Sequence, residues 1–83
     1  MMTLEKFLIA MCINRHNLIS ILSHDETVLY FIEGKEMFHS KLGYLDPVEK
    51  KTVLIGTNDL SKLVTNFAFS GEHISIYVKE AQL

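Results

Sequence analysis

Residues 27–78 read as a succession of short strands, and the last of them is the clearest. After Ser70-Gly71-Glu72, the residues Ile74, Ile76 and Val78 alternate with His73, Ser75, Tyr77 and Lys79. A period of two sends the first set to one face of a strand and the second set to the other. The remainder of the stretch follows the same style. Residues 27–33 hold no polar side chain between Thr27 and Glu33 and are rich in β-formers. Gly34-Lys35 then offers a two-residue loop with glycine first, as a type II′ turn requires. That loop predicts antiparallel pairing of 27–33 with 36–44, setting Ile32 opposite Met37, Phe31 opposite Phe38 and Tyr30 opposite His39. Leu29, Phe31 and Phe38 would share one face, and Val28, Tyr30, Ile32 and Met37 the other. Both faces are apolar, so such a hairpin is either buried on both sides or lends one side to a partner.

Further along, Leu45-Asp46-Pro47 breaks the chain at its single proline, and residues 52–55 form the next strand. Asn58-Asp59 offers a helix cap. Leu60, Leu63, Val64 and Phe67 then fall at helical spacing, while Leu63, Thr65, Phe67 and Phe69 alternate. The expectation is a helical turn near residues 58–63 and a strand toward Phe69. Upstream, Thr3 is a good N-cap with Glu5 in the first turn, and Leu4, Phe7, Leu8 and Met11 line one face of a helix over residues 3–13. The isoleucines of residues 18–22 favour a strand, and Ser23-His24-Asp25-Glu26 is a polar turn. The expected class is α+β: an N-terminal helix followed by a strand-dominated antiparallel sheet or small open barrel. Phe7, Leu8, Phe31, Leu54, Ile74 and Ile76 are the expected core.

Residues 1–83 make one domain near the lower size limit for unaided folding, burying about 60–65% of the unfolded surface. Apolar residues at 48% suffice for a core. The net charge of −2 creates no field that draws nucleic acid or anionic membrane. Cys12 is the only cysteine, so no internal disulfide forms and a reducing, cytoplasmic setting is expected. Glu5 sits where a signal peptide carries positive charge, and the apolar run 7–13 is too short to span a bilayer.

The order of elements, with LGYLDP, a TVLIG strand and FSGEHISIYV, resembles the Sm and LSm small β-barrels over about residues 27–79. Gly34, Leu42, Leu45 and Asp46 approximate that family's Gly turn and apolar-x-x-apolar-Asp strand, and Ser70-Gly71 matches its later Arg-Gly turn in the glycine alone. The resemblance implies a small barrel able to assemble into a ring through the strands flanking Ser70-Gly71. The family's RNA-contacting Asn falls near Lys50, and its Arg is replaced by Ser70, so the uridine pocket is not carried over. Lys50 and Lys51 are the nucleic-acid candidates that remain.

Few groups invite chemistry. His24-Asp25-Glu26 clusters possible metal ligands, yet no HxH, HxxxH or Cys/His spacing exists, and a solvated turn explains the triplet; no metal and no cofactor are expected. A Cys12–His16 pair would need a helix to reach His16, plus an orienting group and an oxyanion site. Glu33 and Glu36 face each other across the expected hairpin end as solvated, mildly repulsive carboxylates. No nucleophile, base and stabiliser converge at readable spacing, so no catalytic residue is assigned and no enzyme is expected. The remaining signal is the aromatic excess. Two readings stay open: the rings all fill the core, or one aromatic face or strand edge is an interface. The interface candidates are Tyr30, Met37, His39, Phe69 and Tyr77. The expected function is a non-enzymatic interaction or regulatory module that binds itself, as a dimer or small ring, or another protein. The alternative is a weak Sm-like binder of single-stranded RNA.

Overall fold

The computed structural model describes residues 1–81. Helix α1 spans Leu4–Ala10, and Thr3 caps it by accepting from the Lys6 N–H at 3.3 Å. Leu4 and Leu8 are fully buried, with Phe7 and Met11 packed beside them. The helix stops short of residue 13 because Met11 turns extended, at φ −68° and ψ 143°. The Lys41 ammonium, brought in from a distant loop, then donates to the Ile9 and Met11 carbonyls at the helix C-terminus. A cation there offsets the helix dipole that the last turn of α1 does not itself compensate.

Strand β1 (Leu18–Ser23) follows, then β2 (Val28–Glu33). The hairpin of this region joins β1 to β2 through residues 23–27, and not β2 to residues 36–44 as the sequence suggests. Ile19 lies opposite Ile32, Ser20 opposite Phe31 and Ile21 opposite Tyr30. The polar turn drives this choice. Asp25 accepts from the Ser23 hydroxyl and from the Thr27 N–H, and Glu26 takes a left-handed φ of 69°. Residues Gly34–Glu36 form a 3₁₀ turn instead of a two-residue loop, and the chain leaves β2 so that Met37 bridges Tyr44. Gly34 serves close approach there: a Cβ would stand 2.2 Å from the Asn14 carbonyl oxygen. The Ile32–Met37, Phe31–Phe38 and Tyr30–His39 pairs are therefore absent. A two-residue loop with glycine first occurs instead at Gly71-Glu72, where Gly71 has φ +60° and Ser70 pairs with His73.

Strands β3 (Gly43–Asp46) and β4 (Lys51–Leu54) form a separate two-stranded ladder around the Pro47 turn. A short helix α2 (Thr57–Leu60) and strands β5 (Leu63–Ser70) and β6 (His73–Lys79) complete the chain, matching the expected helical turn and strand in this region. The main sheet has the order β2-β1-β6-β5; β6 runs parallel to β1 and antiparallel to β5. The fold is thus α+β with a mostly antiparallel, strand-rich sheet, and the sheet does not close into a barrel.

One sheet face holds the core. Ile19, Ile21, Ile32, Ile74, Ile76 and Val78 lie under Leu4, Leu8 and Leu60. Leu8, Ile74 and Ile76 are where the sequence puts them, and Phe7 sits at the rim. Two expected core residues are not. Phe31 is 50% exposed because its register beside Ser20 turns it to the opposite sheet face. Leu54 is 70% exposed because the β3–β4 register directs Tyr44, Val53 and Ile55 inward in its place.

Candidate functional site

Strand β5 is an edge strand whose residues from Thr65 onward are all exposed. Its first residues are covered by the N-terminus: Leu4 N–H donates to the Lys62 carbonyl at 2.8 Å, and Val64 N–H to the Met2 carbonyl at 2.9 Å. A bulge at Thr65 then shifts the register against β6, and no further backbone partner covers the outer side among the described residues. Alternation past the bulge puts Phe67 opposite Ile76 and Phe69 opposite Ile74, both aimed to the helix side of the sheet. The helix does not reach far enough to cover them. Phe67 is 49% exposed and Phe69 63%. Their rings meet edge-on at 5.8 Å between centroids, and Phe67 stacks at a tilt on Phe7 of α1 at 5.3 Å. Beside them lies an open groove of about 340 Å³ lined by Met1, Met2, Phe7, Val64 and Phe67. An unpaired strand edge next to three aromatic rings offers main-chain hydrogen bonds and apolar area to an incoming strand.

The sequence-predicted interface residues do not gather here. Phe69 alone belongs to the patch. Tyr30 faces the core side, where its hydroxyl donates to Asp59 Oδ2 at 2.7 Å and accepts from the Gly56 N–H at 3.0 Å. Lys62 completes that network with a 2.8 Å ion pair to Asp59. Lys62, then Tyr30, hold the Asp59 carboxyl below its ordinary range, and partial burial is the main cause that raises the Tyr30 phenol. Met37 packs against the core, and His39 lies in the exposed loop that lines a second depression with Ile13, Phe38 and Lys41. Tyr77 sits on the opposite face of the sheet, level with Leu22. Phe7 and Phe67 were missed as site residues because each fits a core periodicity. The uncharged edge segment 65–71 is the sequence signal that marks Phe67; Phe7 carries no such signal.

Other candidates resolve into local structure. Lys50 takes φ 58° in the β3–β4 turn, and Lys51 pairs with Glu49 at 2.8 Å, which raises its ammonium. Asp25 is held down to about 2, chiefly by the Ser23 hydroxyl and then by Thr27, as expected of a turn-forming carboxylate. Cys12 is exposed beyond the end of α1, so the helical Cys12–His16 spacing does not exist. Among the described residues no cluster of three His, Cys, Asp or Glu side chains is placed to hold a metal, and no helix is long and apolar enough to cross a membrane. Comparisons with protein-family models, with curated proteins and with solved structures find no significant match.

Proposed function

We propose that this chain is a non-enzymatic protein-interaction module that works through the β5 edge and its aromatic patch, and that it self-associates. The observation that carries this reading is the run Thr65–Ser70: an exposed edge strand with Phe67 and Phe69 outside the core. Natural edge strands are blunted by charge, proline or a covering loop. Residues 65–71 carry neither charge nor proline. The bulge at Thr65 is a blunting device in its own right, but it lies at the start of the open stretch, ahead of Phe67 and Phe69.

Light scattering or native mass measurement from low to high micromolar concentration tests the reading. The mass is expected to rise from monomer toward dimer, and Phe69→Ser is expected to return it to monomer while the circular dichroism stays native. An oligomer that survives Phe69→Ser would place the contact elsewhere. A monomer at every concentration would remove self-association and leave a different protein as the strand donor.

A further inference from the structure

Resting on that reading, we infer that the β5 edge is completed by β5 of a second copy, paired antiparallel about a two-fold axis at Ala68. The open stretch has two natural limits. The N-terminus occupies the edge as far as Val64, through the Met2 and Thr3 backbone. The Gly71-Glu72 turn ends it at the other side. Ala68 is the midpoint between Thr65 and Gly71, so a two-fold there uses the whole open edge in both copies.

Backbone orientation agrees with the same centre. The Phe67 N–H is met by Asn66 Oδ1 at 2.9 Å, its own neighbour's side chain, in place of a strand partner. Alternation then turns the backbone groups of Phe67 and Phe69 to the open side. In the Ala68-centred register Phe67 of one copy and Phe69 of the other become hydrogen-bonded pairs. The two Ala68 residues fall in the close, non-hydrogen-bonded position, with Cα atoms about 4.5 Å apart. Small side chains suit that position. Asn66 swings away as its acceptor role passes to the incoming strand. A centre at Phe67 would set Phe69 against the bulged Thr65, and a centre at Phe69 would set Phe67 against the turn residue Gly71. Neither pairs both rings.

Side-chain chemistry also favours a like partner. Antiparallel self-pairing of residues 65–71 brings no two charges together. Phe69 of the second copy lands opposite Phe67, over the apolar groove of Met1, Met2 and Phe7. Two four-stranded sheets thereby join into one of eight strands. The contact is modest: each ring has at most about 150–250 Å² to bury, and a standard interface takes about 800 Å² per partner. An area this small belongs with weak, reversible contacts, so the dimer is expected to dissociate on dilution.

Cysteine pairing on the full-length chain reads the register. In a Cys12→Ser background, Ala68→Cys is expected to cross-link to itself under diamide at concentrations where the dimer forms. Most of the chain should then run at twice the monomer mass without reductant. Asn66→Cys mixed with Ser70→Cys is expected to give the mixed dimer, since these positions face each other. Ser70→Cys alone should not cross-link, its copies lying about 13 Å apart along the strand. A native dimer in which Ala68→Cys stays reduced, or Ser70→Cys links to itself, overturns the register while leaving self-association standing. A native-folded monomer throughout overturns both.

Discussion

Ser20 and His73, 53 residues apart, meet at 2.8 Å between Oγ and Nε2 across the parallel β1–β6 pair. Phe31 leans its ring edge toward the same imidazole, with centroids 6.3 Å apart. Ser20 is small enough to lie beneath both rings, and it is only 5% exposed although it belongs to the sheet face opposite the helix. A serine and a histidine in contact resemble a nucleophile–base pair, but here the serine is covered and its bond ties two central strands. Ser20→Ala is expected to cost about 1 kcal/mol in urea unfolding. A loss much above that would mean that Ser20 also positions Phe31, which an aromatic proton spectrum of the variant would show.

Gly34→Ala is expected to destabilise by about 1–3 kcal/mol, the usual range for overpacking. The new Cβ meets backbone at Asn14 and Asn17, with no flexible side chain to give way. A melt of the variant within a degree of the parent would refute the close approach of the 3₁₀ turn to that loop.

The Tyr30–Asp59–Lys62 network makes stability depend on pH in a defined sense. Asp59 has its carboxyl lowered, first by Lys62 and then by Tyr30. Its contribution is therefore present above the unfolded carboxylate value, near pH 4, and is lost as pH falls through the lower folded value. Lys62 is raised, chiefly by Asp59, so its share is present below about pH 10 and lost as pH rises through the higher folded value. Tyr30→Phe removes a donor to Asp59 and an acceptor for Gly56, and is expected to cost about 1 kcal/mol at neutral pH. Urea titrations of parent and variant from pH 7 down to about pH 3 should show the gap between them narrowing on the acid side, with the part owed to the Gly56 N–H remaining.

Nucleic acid is expected to bind no more tightly than nonspecific contacts do, with dissociation constants of ~10⁻⁴ to 10⁻⁶ M at physiological salt. Of the candidate cations, Lys50 sits in the β3–β4 turn and Lys51 opens β4, where Glu49 already engages it. Fluorescence titration with uridine-rich and adenosine-rich single strands checks this. Nanomolar, sequence-selective binding that falls in Lys50→Ala/Lys51→Ala would make RNA binding the primary function.

Much of the fold is legible from local pattern alone. Thr3 and the spacing of Leu4, Phe7 and Leu8 specify α1, and the alternation of Ile74, Ile76 and Val78 specifies both β6 and its buried face. Each of these signals is complete within one turn of helix or one strand. Pairing is different, because a strand with two apolar faces can join several neighbours. The Gly34-Lys35 loop predicts residues 36–44 as the partner of residues 27–33, and the Asp25 turn together with the crowding at Gly34 selects β1 instead. The site was hidden for the same reason. Phe7 and Phe67 look like core residues by period, and only the tertiary structure places them at the uncovered end of the helix–sheet contact. Sequence determines which residues share a face; which faces and edges stay open depends on long-range strand order, and here that order leaves β5 on the outside.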